Sequence, residues 1–392
     1  MNLLRISGAL ILFTSVISCS PKVNVHKAVR NAEHQTDLML KEITNKKATK
    51  SMNLVSPRTL ENGELKLVPS KDWTSGFFPG ELWYLYEMTK NEKWKTEAMT
   101  YTAQIEQEKM NSTTHDMGFK VYCSVGNGYR LTKDEHYKNV VIQAAKTLST
   151  RFNPNVGAIR SWDHHEDEWG FPVIIDNMMN LELLFEATKL TGDSTFYQIA
   201  VAHANTTMKN HFRADYSTWH VISYNPETGK VEHKNTHQGY SDASAWARGQ
   251  AWAIYGYTMC YRYTRNDKYL KQAEHVATFI FNNKNMPKDL VPYWDFDAPG
   301  IPNEPRDISA AAVIASALFE LAGYSANKTD YLAKANRILS SIQNMYSSPK
   351  SGNKGFILDH STGSKPSDSE VDVPLSYADY YYLEALVRKQ GK

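Results

Sequence analysis

The segments LWYLYEMTKNEKW (82–94), VGNGYRLTKDEHY (125–137), LELLFEATKLTGDSTFY (181–197), MCYRYTRNDKYL (259–270) and LFELAGYSANKTDYL (318–332) follow one plan. Each closes an apolar helix with Leu or Tyr and turns through a few Thr, Lys, Asn, Asp or Gly residues. A second helix then opens on an aromatic residue. That is a helical hairpin, and it recurs at intervals of roughly 45 to 75 residues. After the turns, apolar residues fall at helical spacing in Tyr137–Leu148, Phe196–Met208, Tyr269–Phe281 and Tyr331–Ile342, the pattern of helices that bury one face. Before the turns, Ala243–Cys260 and Ser309–Leu321 are more apolar throughout and need cover on most sides. Two kinds of helix predict two concentric layers. A sixth hairpin forms if Tyr377–Lys389, the last inner helix, packs beside Lys27–Ile43, the first outer one. The expected fold is all-α: an (α/α)6 barrel, a toroid of six helical hairpins, with residues 27–392 as a single domain.

Composition fits a large globular core, with 42% hydrophobic and 22% charged residues. A formal charge of +2 lacks the basic footprint of a nucleic-acid binder, so no nucleic-acid partner is expected. The N-terminus reads as an export signal: Arg5 precedes an apolar run, Ile6–Ile17, too short to span a bilayer. The run ends in Val16-Ile17-Ser18-Cys19, which resembles a bacterial lipobox. Residues 1–18 are thus expected to be a lipoprotein signal peptide and 19–26 a tether anchored by a lipid on Cys19. Cys19 would be the chain's one membrane attachment, on an exported protein that is periplasmic or membrane-anchored. Cys123 and Cys260 lie in helical, aromatic surroundings and read as buried free thiols. With no His-Glu-x-x-His or Cys-x-x-Cys spacing, neither a metal nor another cofactor is expected. Nothing in the sequence sets an oligomeric state.

In such a barrel the residues just before each inner helix collect at one mouth: Asp72–Gly80, Thr114–Gly118, Gly170–Asn177, Gln238–Arg248, Tyr293–Asp307 and Ser367–Tyr377. The long loop Trp219–Ser241 belongs there too. Asp116 and Asp176 both stand immediately before helices, and each has two readings. Either is a good N-cap; together, with Asp176 desolvated behind Val173-Ile174-Ile175, they suit acid/base work. Arg248, between Trp246 and Trp252 on an apolar helix, needs either an anionic ligand or an Asp partner. His220 and Gln238 are hydrogen-bonding groups of the mouth loops, and Trp73 offers a ring for a sugar. Asp163-His164-His165-Glu166-Asp167-Glu168 reads as a solvated loop, as does Ser361-Thr-Gly-Ser364-Lys365, whose other reading is a sulfate contact.

The segments WTSGFFPG (73–80), HDMGF (115–119), DNMMN (176–180), THQGY (236–240), WARGQAWAIYG (246–256) and YWDFDAPGIPNEPRDISAAA (293–312) resemble, in order, those of glycoside hydrolase family 88, the unsaturated glucuronyl hydrolases. The resemblance implies the (α/α)6 barrel again. It implies Asp176 as general acid/base and Asp116 as its partner. Trp73, His115, Trp162, His220, Thr236, Gln238, Arg248 and Trp252 become substrate contacts. The implied substrates are unsaturated uronic-acid oligosaccharides: lyase products with a 4-deoxy-4,5-unsaturated uronic acid at the non-reducing end, glycosaminoglycan-type fragments foremost. The implied reaction is hydration of the enol-ether double bond. The stretch Glu370–Asp379 departs from the family pattern, which bears on contacts such as Tyr377. A sister family acting on unsaturated rhamnogalacturonan carries Arg-Gly-Asn-Gly where this chain has Arg248-Gly-Gln250-Ala251. A carbohydrate-binding lipoprotein without catalysis is the third reading, and retention of both aspartates argues against it.

Overall fold

The computed structural model describes residues 23–47, 53–165, 167–349 and 352–391. Twelve α-helices among the described residues alternate between two layers. The outer ones are α1 (Val25–Lys47), α3 (Glu92–Ala103), α5 (Glu135–Ser149), α7 (Ser194–Asn210), α9 (Asp267–Asn282) and α11 (Lys328–Ser341). The inner ones are α2 (Phe77–Thr89), α4 (Asn127–Thr132, entered through a π-helical stretch, Gly118–Gly126), α6 (Asn177–Thr191), α8 (Ala247–Thr264), α10 (Ile308–Leu321) and α12 (Ser376–Lys389). Inner helices pack in sequence, from α2 through the π-helical stretch, α6, α8 and α10 to α12, and α12 returns to α2. The ring is closed, as the repeats require. Residues 1–18 and Cys19 lie outside the described residues. Helix α1 begins at Val25, so Val25 and His26, the end of the expected tether, belong to the fold.

The repeated turn has a specific chemistry. Inner helices end on a residue in the left-handed region, Lys90 (φ 58°), Lys133 (φ 59°), Gly192 (φ 77°) or Arg265 (φ 53°). The next residue, Asn91, Asp134, Asp193 or Asn266, caps the outer helix by accepting a backbone N–H two positions on. The Thr two residues before each cap (Thr89, Thr132, Thr191, Thr264) accepts the cap's own N–H at 3.1–3.2 Å. It also donates its hydroxyl to the carbonyl four residues back. Thr-x-Asn/Asp therefore satisfies both helix ends with two connecting residues, and the short link forces antiparallel neighbours.

Closure differs from the expected α12–α1 pairing. Helix α1 leans on α2, on the strand Glu64–Val68 and on the turn Asn353–Gly355. Asn24 and Gln343 exchange two hydrogen bonds of 3.1 and 2.9 Å, tying the start of α1 to the end of the α11 hairpin. Gly355 (φ +96°) lies against the α1 backbone, where a Cβ would come within 2.3 Å of the Met39 nitrogen.

The mouth is not helical. Where the sequence suggested one long loop, Val221–Tyr224 and Val231–Asn235 form a hairpin that pairs with Pro172–Ile174 into a three-stranded sheet. Its apolar strands Pro172–Ile174 and Val221–Tyr224 are buried beside the inner-helix starts, and the polar Val231–Asn235 forms the half-buried edge.

Candidate active site

A ladder of backbone bonds brings the two aspartates together. The His115 N–H donates to Ser161 O (3.0 Å), the Ser161 N–H to Pro172 O (2.8 Å) and the Ile174 N–H to Ser161 Oγ (3.0 Å). Asp116 and Asp176 therefore leave strand-like segments on either side of Ser161. Below them the Phe119 N–H donates to Asn180 Oδ1 (3.0 Å), fastening the π-helical stretch to α6. Both carboxylates line one cavity of about 380 Å³ at the mouth.

The capping reading fails at both positions. Asp176 precedes α6 with φ −55° and ψ −30°, already helical, and its side chain caps nothing. Asp307 shows the contrast: extended at φ −125°, it accepts the N–H groups of Ser309 and Ala310. Asp116 lies two residues before the π-helical stretch and caps nothing there. It accepts the Thr114 hydroxyl (2.5 Å), and its Oδ1 lies 3.1 Å from His115 Nε2. Burial alone would raise the Asp116 carboxyl, but His115, the Thr114 hydroxyl and the Lys120 ammonium hold it below the ordinary carboxylate range. Asp116 is therefore an anion at neutral pH.

Asp176 is different. It is 8% exposed, and its Oδ2 has no hydrogen-bond partner. His220 Nε2 lies 3.5 Å from it. The Ile175 N–H donates to His220 O (3.1 Å), which places this ring beside Asp176. His220 Nδ1 accepts the N–H groups of His237 (3.1 Å) and Gln238 (3.2 Å), so the neutral ring carries its proton on Nε2, facing Asp176.

The remaining expected residues divide. Trp73, His115, Trp162, Gln238 and Arg248 are in the cavity wall. Trp73 is packed among Phe77, Phe119 and Tyr377. Trp162 stacks on His164 and meets Trp169 and His237. Gln238 is held by a bond from its Nε2 to Gly363 O (3.0 Å). The Arg248 alternative resolves to the ion pair: Nη1 is 2.7 Å from Asp307 Oδ2, and the guanidinium also donates to the Thr362 and Gly363 carbonyls. Trp252 and Thr236 are corrections. Trp252, one turn below Arg248, is fully buried behind Phe119 (ring centroids 5.3 Å apart) and is not in the wall. The Thr236 hydroxyl accepts the Gly239 N–H (2.8 Å) and shapes the loop.

Two segments expected to be solvated are built into the mouth. Asp163 pairs with Arg151 (2.9 Å), and His164 enters the cavity wall. Ser361–Ser364 is a strand paired with Ser369–Val373, and its carbonyls receive Arg248. Lys71, Asn111, Thr113, Phe119, His164 and His237 line the cavity without having been singled out. The mouth positions of Asn111, Thr113 and His164 follow from the ladder, which joins segments distant in sequence.

Several buried polar atoms at this mouth lack a partner: His115 Nδ1, Trp162 Nε1, Asp176 Oδ2, His220 Nε2 and the Tyr377 hydroxyl. Unsatisfied groups around a cavity are what a polar ligand satisfies. A second cavity, about 340 Å³, opens at the other end of the inner helices, and most of its buried charges are matched. Arg262 pairs there with Glu182 and Glu320 at 2.7 Å, and Glu384 accepts the hydroxyls of Tyr84 and Tyr255. Among the described residues, Cys123 and Cys260 are free thiols, and both are buried.

A closed ring of six inner and six outer helices, with two unlike carboxylates in a cavity at the inner-helix starts, defines an (α/α)6-barrel enzyme. The chain belongs to glycosyl hydrolase family 88, whose model matches residues 44–390. It is 57% identical to an unsaturated glucuronyl hydrolase of Formosa agariphila over 83% of this chain and 81% of that one. It superposes on the crystal structure of an unsaturated glucuronyl hydrolase specific for heparin with a TM-score of 0.88 and 46% identity, covering 94% of this chain and 97% of the other. An aspartate-to-asparagine variant of the enzyme from Streptococcus agalactiae, solved with dGlcA-GalNAc6S, matches with a TM-score of 0.77 and 29% identity over 95% and 93%.

Proposed function

We propose that this chain removes 4-deoxy-4,5-unsaturated uronic acid from the non-reducing end of lyase-generated oligosaccharides, glycosaminoglycan fragments foremost. The observation that carries the reading is the unequal pair: Asp116 is held as an anion, while buried Asp176 keeps an oxygen with no protein partner in the same cavity. Asp176 is the proton-transfer residue. Its carboxyl gives a proton to C4 of the enol ether, and positive charge develops at C5 and the ring oxygen. The Asp116 anion in the same wall stabilises that charge. Water adds at C5 and returns a proton to the Asp176 carboxylate. The resulting hemiketal opens, releasing the remaining sugar and an open-chain keto-uronate. Because the double bond is hydrated, stereochemistry at the anomeric carbon does not depend on carboxylate separation.

The unpartnered polar atoms support the binding roles. His220 Nε2–H orients Asp176, and the Trp162 indole N–H and His115 Nδ1 are left for the substrate. Gln238 lines the wall, and Trp73 covers one sugar face. Arg248, its charge offset by Asp307, acts through its field and by holding the Thr362–Gly363 hairpin in place. Thr236 and Trp252 act by supporting the loop and Phe119.

The test is turnover of unsaturated disaccharides from chondroitin, heparin, hyaluronan, alginate and rhamnogalacturonan, followed by loss of the double-bond absorbance. Turnover of glycosaminoglycan disaccharides is expected. Binding without turnover would support a non-catalytic carbohydrate-binding protein, and preference for the rhamnogalacturonan product would place the chain with the sister activity.

Export and a lipid anchor on Cys19 are part of the proposal, supported by the apolar run Ile6–Ile17 and the sequence Val16-Ile17-Ser18-Cys19. Labelled fatty acid should enter the native protein and not Cys19→Ser. Equal labelling would exclude the anchor.

A further inference from the structure

Lys71 stands in the wall of the catalytic cavity, and its side chain is exposed at the rim. Among the described residues it has no ion-pair or hydrogen-bond partner. Arg248, the other Lys or Arg in the wall, is paired, and so are three cations bonded to the segments behind it. Arg248 is matched by Asp307, Lys120 by Glu108 (3.0 Å), Arg151 by Asp163, and Arg58 by Asp72 (2.9 Å) and Glu370. Lys71 is thus the one cation lining the cavity, among the described residues, whose charge is unspent.

Its backbone is held firmly. Lys71 is the third residue of a turn closed by the Asp72 N–H donating to Pro69 O (3.1 Å). Both neighbours are pinned. The Ser70 hydroxyl donates to Glu108 Oε1 (2.7 Å), and Ser70 O accepts the Ser75 hydroxyl (2.6 Å). Asp72 accepts Arg58 and both the N–H and hydroxyl of Thr74. Glu108 also takes Asn111 Nδ2 (2.7 Å), so one carboxylate fastens the Lys71 turn to the opposing Asn111–Thr114 edge. The cation is therefore presented over the rim from a rigid base.

Depth decides what it meets. C4 of the unsaturated ring must reach Asp176, which is 8% exposed beside His220, whereas Lys71 in the same wall is exposed. The rim is then left to the sugar that follows the uronate. We infer that Lys71 is a specificity-determining residue that pairs with an anionic substituent, a sulfate on a glycosaminoglycan fragment, carried by the sugar next to the unsaturated uronate. The inference rests on the functional reading above.

The experiment compares kcat and KM for unsaturated chondroitin disaccharides with and without a 6-sulfate, and for N-sulfated and unsulfated heparin disaccharides. The enzymes are the native protein, Lys71→Ala and Lys71→Glu. Lys71 is exposed, so both variants should fold, as circular dichroism will check. For at least one sulfated pair, the ratio of sulfated to unsulfated kcat/KM should fall about two- to fivefold in Lys71→Ala, the size an exposed ion pair reaches, and further in Lys71→Glu. The change should sit in KM, with unsulfated rates within about twofold of native, and salt should erode the native preference. Equal losses on sulfated and unsulfated substrates would mean that Lys71 serves the uronate itself, and unchanged ratios would make it a solvated lysine. Either result overturns the inference. No turnover of any disaccharide by the native protein would instead overturn the functional reading.

Discussion

Gly118, in the HDMGF segment, lies where the π-helical stretch crosses α6, and a methyl group there should cost both rate and stability. A Cβ at Gly118 would sit 2.7 Å from both Asn180 Cα and Asn180 Oδ1. Carbon atoms in contact prefer about 3.5–4.0 Å, so the two segments must part by roughly 1 Å. Overpacking of this kind costs about 1–3 kcal/mol. Loss of the Phe119 N–H bond to Asn180 Oδ1 adds about 1 kcal/mol, for a total of about 2–4 kcal/mol. The second effect is geometric. Asp116 precedes Gly118 by two residues and Asp176 precedes Asn180 by four, so the wedge drives the carboxylates apart. A displacement near 1 Å costs on the order of 10²-fold in rate. Urea unfolding and kcat on an unsaturated disaccharide measure the two effects. Asn180→Ala is the control: it loses the same hydrogen bond without the wedge, so it should be destabilised yet lose less rate. Gly118→Ala with stability within about 0.5 kcal/mol of native and unimpaired turnover would refute this reasoning.

Arg248→Met should destabilise the fold by about 3–5 kcal/mol, because fully buried Asp307 loses its ion-pair partner; a urea-derived loss below about 1 kcal/mol would show that water reaches the pair. Acid should weaken the protein below about pH 6.5. Burial pushes His211 down to about 3 and His203 well below its ordinary value, so the fold keeps both neutral while the unfolded chain takes up protons. Stability from each is full above the unfolded value and is lost as pH falls, at up to about 1.4 kcal/mol per pH unit. Urea midpoints at pH 7.5, 6 and 5 should decline, and His211→Gln should flatten the slope; a pH-independent midpoint would contradict the assignment.

The barrel was legible because its determinants are local. Thr-x-Asn/Asp turns and the contrast between amphipathic and apolar helices lie within a few residues of each other. Sequence order alone then carried Asp116 and Asp176 to one mouth. Their capping role could not be settled in the same way, because it hangs on the backbone angles at Asp176, which the flanking strand ladder sets. Arg248 found its partner 59 residues away at Asp307, and Trp252 lies behind a ring, Phe119, from another inner helix. Such distances are set by packing, and no local pattern announces them. The sheet beneath the mouth was missed for a related reason: Val221–Tyr224 is too short to show strand periodicity, and its partner Pro172–Ile174 lies far back in the chain. Lys71 carried no signal except its neighbours, since an exposed lysine in a turn is ordinary until the surrounding charges are seen to be spent.

The most direct measurement is turnover of an unsaturated glycosaminoglycan disaccharide by Asp176→Asn, read as loss of the double-bond absorbance, with circular dichroism confirming a native fold. An asparagine fills the same space beside His220 but cannot carry the proton to C4. The expected result is a fall of about 10²- to 10⁴-fold in kcat with substrate still bound. Turnover close to that of the native protein would remove Asp176 from the chemical step and contradict the mechanism.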